Sequence, residues 1–257
     1  CGDGVEYLRQ MGPVDFIYLD PARRDEHGSR TYAIEDCTPN VFELRDLLLS
    51  KSQYTLVKLS PMLDWRKAVA DFDGTVREVH IVATGNECKE LLLVLGQQVH
   101  EEPSAPRVFC VNDNQRIDYD SAAYTQGLRI GGKPLPEVKN YLYEPNASIM
   151  KAGCFDLVEE RFGVTQVGPS SHLFVSATPV ADFPGRGFAI EAIGGMNKKD
   201  IKRLLNGTKQ ANIAVRNFPL TAPQLRKKLK LADGGPVYLF GTTMQGCDHV
   251  LLRTSKI

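Results

Sequence analysis

An apolar run, Phe16-Ile17-Tyr18-Leu19, ends in Asp20-Pro21-Ala22-Arg23-Arg24. A carboxylate at the carboxyl end of a strand can accept a hydrogen bond from an amine or a ribose hydroxyl. Pro21 stiffens the turn, so that the Asp20 carboxylate and the backbone carbonyl point into one cleft, and Arg23 and Arg24 place cations beside the acid. The plainer alternative is an acidic turn residue salt-bridged to the next arginine. A second strand end, Val57-Lys58-Leu59-Ser60-Pro61, repeats the arrangement. Lys58 interrupts an apolar strand, and a lysine is rarely buried unpaired. It therefore meets a carboxylate or lies at the cleft edge. The histidines (27, 80, 100, 172 and 249) are isolated and none is assigned a catalytic role. Gly194-Gly195 and Gly234-Gly235 read as turns, because no strand–loop–helix phosphate fingerprint surrounds them.

A different chemistry is written near the other end. Lys198, Lys199, Lys202 and Arg203 fall on one predicted helix, Arg226, Lys227, Lys228 and Lys230 on a second, and Arg216 at a strand end. Cations on several elements of one small module form a footprint for phosphates, with a solvated helix face as the alternative. No aromatic-rich motif interleaves with them, so contacts to backbone and shape are expected rather than base stacking. The overall charge of zero hides this asymmetry: residues 186–257 hold 13 basic and 4 acidic side chains, and the rest of the chain 18 and 27.

The elements that must position these groups follow from periodicity. Residues 15–20 form a strand, 41–50 an amphipathic helix, 54–60 a strand closed by Pro61, and Asp64 caps a helix starting at Trp65. Residues 76–84 and 90–96 form two further strands, close enough for an antiparallel hairpin. Alternating strands and helices predict a mostly parallel sheet covered on both faces, made mixed by that hairpin. A linker is expected at 97–106. The middle segment then opens with strand 107–112, followed by a loop-rich stretch, strand 141–145, a single helix over 147–163 with Asn146 as N-cap, and strand 172–177. After a Pro/Gly break at 179–187, the remainder reads β-α-β-α-β-β.

At 257 residues with 42% hydrophobic and 24% charged side chains, the chain has ordinary globular composition. No stretch approaches the length of a membrane span, and no signal peptide is visible, so a cytoplasmic protein is expected. The six cysteines (1, 37, 88, 110, 154 and 247) are scattered and give no zinc framework.

The acidic loop Gly2-Asp3-Gly4-Val5-Glu6, the strand ending in Asp20-Pro21-Ala22-Arg23 and the hairpin 76–96 together resemble the second half of a class I S-adenosylmethionine-dependent methyltransferase. The resemblance implies that Asp3 contacts the cofactor's adenine. It also implies that Asp20, Pro21 and Arg23 hold the target group beside the donor methyl, and that Asp3, Asp20 and Lys58 are the cofactor contacts. Ala22 stands where nucleic-acid methyltransferases carry a second proline, and Arg23 where amino-methylating enzymes carry an aromatic ring. The family's glycine-rich loop and ribose-binding acid have no counterpart, so the resemblance covers only later strands. It implies that the N-terminal half of the cofactor site lies outside this sequence and that this chain alone is inactive.

Further on, the segment 141–177 resembles a ferredoxin-like module and the last seventy or so residues a THUMP-like domain, as found together in uncharacterised bacterial RNA methyltransferase candidates. The phrases Glu144-Pro145-Asn146, Val215-Arg216-Asn217-Phe218 and Leu225-Arg226-Lys227-Lys228 carry this part. The implied layout is a partial Rossmann-like α/β methyltransferase sheet (1–102), a ferredoxin-like α+β domain (103–184) and a THUMP-like domain (185–257). The implied partner is RNA, bound through Lys198, Lys199, Lys202, Arg203, Arg216, Arg226, Lys227 and Lys228. No membrane or metal partner is expected, and the oligomeric state is left open. A non-catalytic RNA-binding protein on a methyltransferase-like scaffold is the rival. A Rossmann-type oxidoreductase lacks its Gly-x-Gly-x-x-Gly fingerprint.

Overall fold

The computed structural model describes residues 2–22, 34–35, 37–97, 105–124, 139–246 and 248–257. Contacts divide the chain into two units, residues 1–125 and 126–257.

The first unit is a sheet with helices. In chain order it contains α1 (Gly4–Gln10), β1 (Val14–Leu19), α2 (Val41–Lys51), β2 (Ser52–Leu59), α3 (Trp65–Asp71), β3 (Val76–Thr84), β4 (Glu87–Gly96), β5 (Arg107–Asn112) and β6 (Gln115–Asp120). The order across the sheet is β1-β2-β4-β3-β5-β6. β1 runs parallel to β2, and β5 parallel to β3, while β4 is antiparallel to both of its neighbours. Local chemistry explains that reversal. Gly85 and Asn86 are both left-handed, with φ of 57° and 63°, and close a two-residue turn that sends β4 straight back along β3. The sheet is thus more mixed than the expected mostly parallel one, because β6 also returns antiparallel on β5. Strand 107–112 was expected to open the middle segment. Instead it hydrogen-bonds to β3, and 115–120, expected as loop, becomes the strand beside it.

One face of this sheet is a closed core. Val57, Leu59, Val79, Ile81, Leu91, Leu93, Leu95 and Val108 alternate along their strands and are almost fully buried, together with Val41, Leu44 and Leu48 of α2 and Trp65 and Ala68 of α3. Asp64 caps α3 as expected, accepting from the backbone N–H of Arg66 and Lys67. The other face is open at its β1 end, where Phe16, Tyr18 and Tyr54 remain 52%, 55% and 43% exposed. No strand pairs with the outer edge of β1 among the described residues.

The second unit holds β7 (Tyr141–Pro145), α4 (Ala147–Ala152), α5 (Phe155–Phe162), β8 (Thr165–Gln166), β9 (Phe174–Ser176), β10 (Gly185–Gly194), α6 (Lys198–Leu205), β11 (Asn212–Arg216), α7 (Ala222–Leu229), β12 (Val237–Thr243) and β13 (His249–Lys256). The single helix expected over 147–163 is two. Gly153 takes the left-handed conformation (φ 68°) and its N–H closes onto Ile149 O, which terminates α4 before α5 begins. Asn146 is the N-cap, accepting from Ser148 and Ile149.

One sheet runs through the whole unit in the order β11-β12-β13-β10-β7-β9-β8, and it continues across residues 184–185 because β10 pairs with both β7 and β13. Leu204, Leu225, Leu229, Leu239 and Leu251 form a core under α6 and α7 on one face. Leu142, Val175, Phe188, Phe240 and Leu252 form another on the opposite face, closed by Val167 and Leu173. This second face is concave. Arg216 on β11 reaches Glu144 on β7, four strand positions away. That is about 19 Å in a flat sheet, more than the two side chains can span. A register shift between Ile190 and Ala192 of β10 adds local bend.

Among the described residues no helix is long and apolar enough to cross a membrane, and no group of three or more His, Cys, Asp or Glu side chains is placed to hold a metal ion. Cys37, Cys110 and Cys154 are buried, and Cys88 is partly so.

Candidate functional site

Because β1 and β2 are parallel and adjacent, their carboxyl ends come together. Asp20 leaves β1 and Lys58 sits one residue before the end of β2; Lys58 Nζ donates to Asp20 Oδ2 at 2.9 Å. The antiparallel register sets Lys58 opposite Leu92 of β4, so Glu90, two residues away, lies on the same face. Glu90 Oε1 is 3.8 Å from Lys58 Nζ. The sequence named Asp20 and Lys58 but not Glu90. Aligning the hairpin strand against β2 would have been the signal, since only the register reveals that these positions share a face.

The hydrogen bond to Asp20 raises the Lys58 pKa above 10.5, partly opposed by burial and reinforced by the Glu90 charge. Lys58 is therefore firmly an ammonium, and among the described residues it stands alone between two carboxylates. Glu90 Oε2 is enclosed and has no hydrogen-bond donor among the described residues. Such a site suits ligands that bring N–H donors or positive charge. Pro21 is buried, and Ala22 forms an antiparallel bridge with Thr38. Arg23 and Arg24 lie outside the described residues.

Lys58→Met removes the cation that, among the described residues, lies between the two acids. It is expected to destabilise the first unit by about 1 kcal/mol at neutral pH, since the pair is only partly enclosed. A raised lysine pKa stabilises fully below the unfolded value and less as pH climbs through the folded one. The deficit of the variant in urea unfolding should therefore shrink above about pH 10.4.

Asp3, expected at the cofactor's adenine, is the N-cap of α1. Its Oδ1 accepts from Val5 N at 2.8 Å and Glu6 N at 2.9 Å. An open cavity of about 840 Å³ opens on the first unit, lined by Pro13, Phe16, Tyr54, Arg77 and Arg107 among others. It sits at the amino ends of β1 and β2, away from Asp20. Ligands of α/β sheets bind at carboxyl ends of parallel strands, so the Asp20 end remains the candidate.

In the second unit, α6 and α7 share one face of the sheet. Lys198, Lys199, Lys202, Lys227 and Lys228 are exposed there and pair with no acid among the described residues. The arginines behave differently. Arg203 Nη2 donates to Ile193 O at 2.7 Å and lies 3.3 Å from Asp200, and Arg226 pairs with Asp233 at 2.5 Å. Arg216 does not join the helical lysines at all: it is turned to the opposite, concave face and held by Glu144 at 2.8 Å. Strand alternation explains this, because Ile213 and Val215 point to the helix-covered core and Ala214 and Arg216 away from it.

Three comparisons bear on this arrangement. Residues 141–184 match the family of ferredoxin-like domains, and residues 185–256 the family described as THUMP domain-like. The chain is similar to the crystal structure of a provisionally assigned methyltransferase from Porphyromonas gingivalis W83, at 35% identity and a TM-score of 0.86. The similarity covers 99% of this chain and 63% of that protein, so the chain spans less than two thirds of its relative. The search of curated proteins gives no match.

Proposed function

We propose that this chain is part of an S-adenosylmethionine-dependent methyltransferase that modifies RNA. The observation that carries the reading is the 35% identity to the Porphyromonas gingivalis protein over nearly the whole chain. The Asp20–Lys58–Glu90 cluster at adjacent strand ends supports it, and so does the THUMP-like segment.

The bound cofactor would supply an electrophilic methyl group on a sulfonium, a cation that the Glu90 carboxylate, with an oxygen lacking a donor among the described residues, fits. This chain's residues do the positioning. Asp20 accepts a hydrogen bond from the target's N–H or O–H and fixes its direction. Lys58 holds Asp20 in place, and Arg23 would pair with the target's phosphate or with Asp20. Asp3 serves α1 with Oδ1 and would offer Oδ2 to adenine. Methyl transfer depends mainly on aligning nucleophile, carbon and leaving group, so such groups suffice without a covalent intermediate. The open face around Phe16, Tyr18 and Tyr54 supports the view that the cofactor site is completed by polypeptide beyond these residues, and that this chain alone is inactive.

RNA would be gripped through phosphates by Lys198, Lys199, Lys202, Lys227 and Lys228, with Arg203 and Arg226 at the margin. Each phosphate contact adds roughly 0.7–0.9 to the slope of log affinity against log salt. Changing Lys227 and Lys228 to Gln is expected to weaken RNA binding and flatten that slope by about 1.5, as measured by fluorescence anisotropy. Incubating the full-length protein with S-adenosylmethionine labelled on its methyl group and cellular RNA tests the whole reading. Label in the RNA is expected; label only in protein would refute the substrate class.

A further inference from the structure

The proposed function leaves one cluster of the second unit unused. Glu144 is nearly enclosed, with 4% of its side chain exposed, whereas its partners Arg186 and Arg216 keep 45% and 40%. Arg186 lies directly across from Glu144 in the β10–β7 ladder. It gives both Nε, at 3.0 Å, and Nη2 to Oε2. Arg216 gives Nη2 to Oε1. An arginine has five donors, so both guanidiniums retain several, and two cations against one carboxylate leave net positive charge.

A second observation points to a ligand there. Arg216 Nε and Thr242 Oγ1 are both enclosed without a hydrogen-bond partner among the described residues. Thr242 is completely buried and is the direct cross-strand neighbour of Arg216. An enclosed donor left unmade costs about 1–3 kcal/mol, and two of them side by side, next to half-exposed guanidiniums, mark a place for an acceptor.

The surroundings are built to hold shape. The stretch 168–172 folds back with Ser170 and His172 both left-handed, at φ of 53° and 52°, a conformation that persists only where neighbours enforce it. Ser171 Oγ donates to Gly168 O at 2.7 Å, and Asn217 Nδ2 to Pro169 O at 2.7 Å. A Cβ on Gly168 would lie 2.3 Å from Thr243 O, so only glycine lets the loop sit this close to β12. His172 stacks on Phe155. Its pKa is lowered first by burial and then by Arg216, so it stays neutral beside the cluster. Two of the sequence phrases singled out above, those around Glu144 and Arg216, thus meet here.

We propose that Arg186, Arg216 and Thr242, arranged around Glu144, form an oxyanion site that takes a phosphate group. That the phosphate belongs to RNA rests on the proposed function; the capture of the anion does not. Glu144 acts as a built-in competitor that holds the two guanidiniums apart and ready.

Nitrogen-15 NMR of the arginine side chains of the whole chain tests this, in titrations with inorganic phosphate and, separately, with a short single-stranded RNA. The Arg216 and Arg186 Nε–H signals are expected to shift and saturate with both probes. Arg216→Gln should weaken inorganic phosphate about tenfold, the effect of one charged hydrogen bond, while Lys227→Gln/Lys228→Gln should not change it. Should Arg216→Gln unfold, Arg186→Lys gives the same reading with its charge kept and its fork lost. Saturable shifts with phosphate alone support the oxyanion site and count against RNA as its source. RNA binding seen by fluorescence anisotropy, with both Nε–H groups unmoved in both titrations, overturns the site while leaving the RNA reading intact. Unmoved Nε–H signals with both probes also overturn it.

Discussion

Asp20→Ala in the full-length protein is expected to lower methyl transfer to RNA by about a hundredfold or more, the penalty when a target loses its alignment by a fraction of a bond length. Two readouts separate this from general damage. Asp20 is partly exposed and lies after β1 rather than within the core, so thermal stability should change little. RNA affinity should also hold, because the proposed phosphate contacts on α6, α7, β10, β11 and β12 all belong to the second unit. Asp20→Asn, which keeps an acceptor oxygen but loses the charge paired with Lys58 at 2.9 Å, should fall between. A wild-type rate in Asp20→Ala would remove this residue from the site.

Glu144→Ala has the largest expected effect on stability. It leaves two guanidiniums without the carboxylate that joins β7, β10 and β11 across the concave face. Breaking an enclosed ion pair from one side costs about 3–5 kcal/mol. Partial exposure of both arginines places this case near 3. Hydrogen exchange should report the loss along β7, β10 and β11 of the second unit. Arg216→Ala should cost less, because Arg186 continues to neutralise Glu144 through two N–H groups. A double-mutant cycle between Glu144 and Arg216 should therefore give a clear coupling energy.

Much of this was legible in the sequence because it is local. Residues 76–84 alternate and end at Gly85-Asn86, so strand, turn and returning strand follow from spacing alone. Asp64, Asn146 and the helices under the basic stretch are equally local signals. What escaped is non-local. Strand 107–112 reads the same whether it opens a new module or joins β3, and only the pairing decides. Helix 147–163 carries one continuous apolar stripe, yet a left-handed Gly153 breaks it. In the candidate site, Asp20 and Lys58 were visible as polar residues ending apolar strands. Glu90 was not, because its proximity depends on which strand lies beside β2. Arg216 looked like its lysine-bearing neighbours in charge, but its strand position turns it to the opposite face, where Glu144 waits 72 residues away in sequence.

The central claim is that the Asp20 end of this sheet belongs to a methyl-donor site. Isothermal titration of S-adenosylmethionine into the full-length protein and into this chain tests it most directly. Saturable binding by the full-length protein, weakened by Asp20→Ala, and little binding by this chain alone are expected. Absence of binding to the full-length protein would contradict the claim, and tight binding by this chain alone would contradict the view that part of the site lies beyond it.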